Sequence, residues 1–250
     1  MTMLSPYDPE IETLWRAIIA AGARSVAVVS AGAGEGTTMI AAALARRAGI
    51  AGIGGLLVDL NRTRPAVARL MGLRPQPGEM VALHGITVLA QPHEDDLEMW
   101  RDSAVLAHRA ETWAGQYGVV VFDTAPVLSA DAALRGASVA GAADLTIIVT
   151  QSGHTTPQAL RDTRSRLIVA GARVLATVTS ERDKVSLMAK LENPPSRLAP
   201  ALARAKGVAQ GSASLARATG GTLARAGGLM ASLTRGRLGG LLPSAARAAG

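Results

Sequence analysis

Ser25-Val26-Ala27-Val28-Val29-Ser30-Ala31-Gly32-Ala33-Gly34-Glu35-Gly36-Thr37-Thr38 runs from a short valine-rich stretch through a glycine cluster into helix-forming sequence. The first six residues predict a buried strand, and Thr37 to Ala48 predicts a helix. A strand, a glycine turn and a helix in that order suit a phosphate cradle: glycines let backbone N–H groups turn inward, and the helix N-terminus adds partial positive charge. Taken singly, the glycine cluster reads equally as a structural turn.

Outward from this stretch the pattern repeats. Asp8 to Ala21 places Ile11, Leu14, Trp15, Ile18 and Ile19 at amphipathic-helix spacing. Gly54 to Val58 and Val119 to Phe122 are apolar runs that end in Asp59 and Asp123, and Leu145 to Val149 is a third such run. Ile86 to Leu89 and Val174 to Val178 are weaker strand candidates, and Glu94 to Trp113, Ala130 to Ala140 and Pro157 to Ala170 read as helical. Strands apolar on both faces and alternating with helices imply an α/β fold, doubly wound, with a mostly parallel sheet and helices on both faces. In such folds the ligand crevice lies off the carboxyl ends of the strands, where this chain has the glycine loop, Asp59 and Asp123. Thr38 would offer a hydroxyl to a magnesium ion bridging two phosphates. Asp59 and Asp123 could hold that ion or orient an attacking hydroxyl, although an aspartate after a strand also serves as a helix cap.

The composition excludes several alternatives. The 250 residues contain no cysteine, which removes disulfides, thiolate metal sites and cysteine nucleophiles, and leaves a reducing cytoplasm as the default. Aromatics are 2%, too few for stacked-base platforms, so nucleic acid is not an expected partner. His84, His93, His108 and His154 lack metal-ligand spacing. A dinucleotide fingerprint would need glycine at position 37, which is Thr37. The N-terminus does not read as a secretory signal, and no window approaches the ~18 apolar residues of a spanning helix.

The formal charge of +7 is unevenly placed. Eight of the 26 basic residues and none of the 19 acidic ones lie in residues 195–250, so that stretch carries +8 and the remainder −1. Its Ala/Gly/Arg composition and glycine pairs predict a flexible, basic C-terminal tail, disordered or transiently helical. The expected organisation is an N-terminal helix and interaction segment (1–22), a nucleotide-binding-type domain (23–194) and the tail (195–250). Anionic membrane surface is one expected contact of the tail.

Over residues 8–182 the sequence resembles the bacterial tyrosine kinases of capsule and exopolysaccharide synthesis, within the larger MinD/ParA group of deviant P-loop ATPases. Ala31 to Thr38 is similar to that family's A-x-x-x-x-G-K-[ST] motif. Asp59-Leu60-Asn61-Arg62-Thr63-Arg64-Pro65 resembles its second motif, and Asp123-Thr124-Ala125-Pro126-Val127-Leu128-Ser129-Ala130-Asp131 its third. The resemblance implies ATP or ADP with magnesium as ligands. Gly32, Ala33, Gly34, Glu35, Gly36, Thr37 and Thr38 would form the nucleotide-binding loop, Thr38, Asp59 and Asp123 the metal side, and Asp59 the catalytic base. It also implies a membrane-anchored polysaccharide chain-length or co-polymerase protein as partner, self-association into a homo-oligomer, and a cytoplasmic location at the inner face of the plasma membrane.

The departures from the family pattern shape the functional expectation. Thr37 replaces the phosphate-binding lysine, and no lysine precedes Lys184. A charge-assisted contact of that kind contributes about 1.5–3 kcal/mol, so turnover should be poor unless an arginine substitutes, with Arg62 and Arg64 the candidates. Asn61 replaces the second acid, Ser180 stands where an adenine-side Asn is expected, and the oligomerisation pattern is reduced to Glu10, Thr13 and Arg16. The tyrosine-rich tail is absent, since the tyrosines are Tyr7 and Tyr117. The reading is a degenerate, regulatory copy with weak or no turnover. The alternatives are an active ATPase or tyrosine kinase of the same family and a MinD/ParA-like partitioning or positioning ATPase.

Overall fold

A computed structural model describes residues 3–130, 134–180 and 188–191. Residues 195–250 and Asp131 lie outside the described residues, and with them the expectations placed on the tail. Seven helices and eight strands follow one another among the described residues: α1 (Pro9–Ala20), β1 (Ser25–Ser30), α2 (Thr37–Ile50), β2 (Gly55–Asp59), α3 (Val67–Met71), β3 (Met80–Leu83), β4 (Ile86–Leu89), α4 (Glu94–Met99), α5 (Ser103–Tyr117), β5 (Val119–Asp123), α6 (Gly136–Ala142), β6 (Leu145–Gln151), α7 (Pro157–Val169), β7 (Val174–Ser180) and β8 (Met188–Leu191). The strands form one sheet in the order β3-β4-β2-β5-β1-β6-β7-β8. The six inner strands are parallel, and β3 and β8 pair antiparallel at the two edges.

Every residue of β1, β2 and β5 is buried, because side chains alternate between two covered faces. Val26 and Val28 pack with α1 and α2 on one face, while Ala27, Val29 and Phe122 pack with α5, α6 and α7 on the other. The second face contains an aromatic group in which Trp113 stands edge-on to Trp100 at 5.4 Å and 6.4 Å from Phe122. This is the doubly wound arrangement that the apolar strand runs imply.

The α1 helix belongs to the first of these cores. Ile11 and Leu14 are fully buried there, and Arg47 of α2 reaches back to donate its Nε–H to the Glu12 carboxylate at 2.6 Å. Glu12 also pairs with Arg16 at 2.9 Å, which occupies the arginine of the reduced oligomerisation pattern. Leu14→Ala should lower unfolding stability by about 2–5 kcal/mol, the usual cost of deleting a buried leucine side chain. A loss of unfolding free energy below about 1 kcal/mol in urea titration would mean that α1 is not part of the cooperative unit.

Glu94 to Trp113, expected as helix in one or two pieces, forms two, because the Asp102 carboxylate accepts the Ala104 N–H at 2.8 Å and starts α5 afresh. Other boundaries differ from the sequence expectation. The helix expected from Ala130 begins at Gly136, since Arg135 is extended at φ −73° and ψ 129°. The β3 strand, absent from the sequence reading, joins β4 through the two-residue turn His84-Gly85, with φ of 48° and 81°. Among the described residues no helix is long and apolar enough to cross a membrane.

Candidate functional site

The β1 strand ends at Ser30 between β5 and β6, and local hydrogen bonds tie its last residues to the segment after β5. Val127 N–H donates to Ser30 O at 2.8 Å, Thr124 Oγ1 donates to Val28 O at 2.9 Å, and Ser30 Oγ donates to Gly32 O at 2.8 Å. The loop then turns through Gly34 and Gly36 at φ of 84° and 104°, a backbone region that disfavours any other residue. Gly36 is the N-cap of α2, and no side chain caps that helix.

Two side chains brace the loop from beneath. Glu35 is buried, and its carboxylate accepts the Ala31 N–H at 3.2 Å. Burial raises its pKa, against the lowering effects of the Thr155 hydroxyl and the Ala31 and Gly32 amides. Ser180 Oγ donates to Glu35 O at 3.2 Å. Ser180 is therefore bound to the loop backbone, whereas its sequence position suggested the adenine side. Glu35 supports the loop shape with a carboxylate folded back onto the loop's own amide.

The two aspartates at the strand ends are neighbours, with Asp59 and Asp123 in register across β2 and β5. Asp59 Oδ1 accepts the Asn61 N–H at 2.9 Å, and Oδ2 accepts Ala66 N–H at 3.0 Å and Val67 N–H at 3.1 Å. Asp59 thereby clamps the loop leading into α3. Its pKa is raised by burial and held back by those three amides. Asp123 is completely buried, and Thr38 Oγ1 donates to its Oδ2 at 2.6 Å. Asp123 Oδ1 has no partner; among the described residues it shares that condition with Thr163 Oγ1, which lies on α7. Burial, and next the Asp59 charge, push Asp123 up to about 8, while the Thr38 and Thr37 hydroxyls act in the opposite direction.

A buried carboxylate oxygen without a donor, beside a threonine hydroxyl and a second carboxylate, is an arrangement that a divalent cation would complete. The chemistry of Thr38 and Asp123, with Asp59 adjacent, thus fits a divalent cation such as magnesium.

In front of the loop opens a cavity of about 600 Å³. Gly32, Ala33, Gly34, Gly36, Thr37 and Thr38 line its loop side, and Asn61, Arg64 and Arg69 stand among the residues opposite. Of the two arginines expected as lysine substitutes, Arg64 lines this cavity and Arg62 does not. Arg62 pairs with Glu94 at 2.7 Å and borders a second cavity of about 300 Å³, together with Asp59 and His93. Arg69, on α3, is a further cation of the main cavity; sequence reasoning missed it because α3 spans five residues, too few to show a periodicity.

The fold matches solved structures over most of its length. The chimeric protein CapA2B2 aligns with a TM-score of 0.59 at 21% identity, covering 71% of this chain and 86% of the other. The kinase domain of the Escherichia coli tyrosine kinase ETK aligns at 0.56 and 15% identity, covering 68% and 72%. The septum site-determining protein MinD of Pyrococcus horikoshii, complexed with Mg-ADP, aligns at 0.50 and 18%, covering 62% and 68%. No family model matches the sequence, and no curated protein does. The chain therefore shares the α/β fold of these structures. More particularly, bacterial tyrosine kinase domains are among the structures that share it.

Proposed function

We propose that the chain is a magnesium-dependent nucleotide-binding protein, a degenerate relative of the bacterial tyrosine kinases with weak or no phosphoryl transfer. The observation that carries this reading is the unpartnered Asp123 Oδ1 beside Thr38, at the mouth of a glycine loop whose amides are open to an anion. Thr38 and Asp123 would hold magnesium, with Asp59 adjacent. Magnesium, when bound, neutralises phosphate charge.

The chain's own residues account for the rest. Loop amides from Gly32 to Thr38 bind phosphate oxygens, Glu35 and Ser180 keep the loop in shape, and the family resemblance is what assigns the role of base to Asp59, whose carboxylate already accepts three backbone amides. Thr37 in place of lysine removes a charged group of the kind whose loss typically lowers rates by about 10²–10³. Low turnover accords with a regulatory role, acting through contact with a membrane-anchored polysaccharide co-polymerase on the cytoplasmic face, with the basic tail near anionic lipid and self-association as a further element. The resemblance in the three motifs supports this setting.

Calorimetric titration with ATP and ADP tests the nucleotide reading. Binding in the micromolar range that needs magnesium and disappears in both Thr38→Ala and Asp123→Ala is the expected result. No heat at millimolar nucleotide would sink it. Phosphate-release and tyrosine-phosphorylation assays then separate the degenerate copy from an active kinase.

A further inference from the structure

The cavity before the glycine loop has a distinctive charge inventory. Its described lining contains Arg64 and Arg69, both exposed to the cavity, and no acidic side chain. On the opposite side are the glycine-loop backbone and the uncapped start of α2, a 14-residue helix. The loop itself carries no cation, because position 37 is threonine. The segment bearing the arginines is anchored to the site's own aspartate: the Asp59 carboxylate accepts the amides of Asn61, Ala66 and Val67, and Asn61 Oδ1 accepts the Arg64 N–H at 3.2 Å.

We infer that Arg64 and Arg69 supply, from across the cavity, the phosphate-binding positive charge that the loop lacks, which makes them specificity-determining residues for the terminal phosphates of a nucleoside polyphosphate. This rests on the nucleotide reading above. The physical argument is one of compensation. Backbone amides offer partial charges suited to inner phosphates, but a triphosphate carries further negative charge that calls for full cations. Two guanidinium groups on the facing wall are the full cations of this cavity, and their forked donors match phosphate oxygens. Arg62 takes no part because Glu94 occupies it. Asp59 becomes a positioning residue for both arginines, so one carboxylate organises the metal side and the cationic wall together.

The test is calorimetric titration of the full chain with magnesium-ATP and magnesium-ADP at two salt concentrations. The variants are Arg64→Ala, Arg69→Ala, the double variant, the double lysine variant, and Arg62→Ala. The double alanine variant should weaken ATP binding by roughly 10- to 100-fold and ADP binding by less. It should also flatten the salt dependence. The double lysine variant should recover part of the loss, and Arg62→Ala should change affinity by less than about twofold. In a Thr37→Lys background, which returns a cation to the loop, the penalty of the double alanine variant should shrink. Wild-type affinity and salt dependence in the double alanine variant, with wild-type protein binding ATP normally, would overturn this inference alone. Failure of the wild-type protein to bind either nucleotide would overturn the nucleotide reading and this inference with it.

Discussion

Asp123→Asn should make the ligand-free protein more stable at pH 8 while abolishing the proposed magnesium-dependent nucleotide binding. Asp123 is completely buried at the end of a central strand, beside Asp59, with one oxygen unpartnered. Its pKa in the folded protein is pushed up to about 8 by burial and the Asp59 charge, from 3.8 in an unstructured chain. Between those two values the folded state binds more protons than the unfolded state, so this group's contribution to stability is fully present below pH ~4 and is lost as pH rises towards 8. The slope approaches ~1.4 kcal/mol per pH unit across that window. Asparagine is neutral throughout and carries no such slope. Urea unfolding at pH 5 and pH 8 should show the variant gaining on wild type at pH 8 by an amount on the order of a few kcal/mol, and far less at pH 5. Equal pH dependence in the two proteins would mean that Asp123 ionises normally and that the acidic pair is not under electrostatic tension. A stabilising substitution that removes binding is the signature of a residue kept for a ligand.

Asp59→Ala should act in the opposite sense on stability, by releasing the segment that carries Arg64 and Arg69. The substitution strips Asn61, Ala66 and Val67 of the acceptor that holds their amides. Charge-assisted bonds of this type contribute about 1.5–3 kcal/mol each, and partial access to water offsets some of their loss, so a net destabilisation of about 2–3 kcal/mol is expected near pH 5. At pH 8 the penalty should be smaller, because removing Asp59 also removes a charge that disfavours ionised Asp123. Hydrogen exchange gives the sharper readout: the Ala66 and Val67 amides should exchange roughly 10- to 100-fold faster, with little change in the buried strand β5. Unchanged protection at both amides would show that α3 is held by packing alone, through the fully buried Val67.

Much of the architecture was legible because it is local. A run such as Val26 to Val29, apolar at consecutive positions, suits a strand covered on both faces, and Leu56 to Val58 and Val119 to Phe122 repeat that logic. The edge strand β3 escaped because one side faces water and its residues alternate between exposed and half-buried, so Met80 to Leu83 looks unremarkable in sequence. Its turn places His84 in the left-handed region, a conformation more readily expected of Asn, Asp or Gly. The α3 helix escaped for want of length.

By itself the sequence determined the strand–loop–helix unit, the alternation of strands and helices and the positions of Asp59 and Asp123 at strand ends, since these depend on side-chain periodicity and glycine's backbone freedom. Tertiary structure alone decided which charges meet. It set Asp59 and Asp123 side by side, turned Ser180 onto the loop, paired Arg62 with Glu94 and brought Arg64 and Arg69 to face Thr37 and Thr38. Those pairings join residues up to 145 positions apart. Periodicity reports which way a side chain faces within its own element, whereas the partner it finds there depends on how the elements pack.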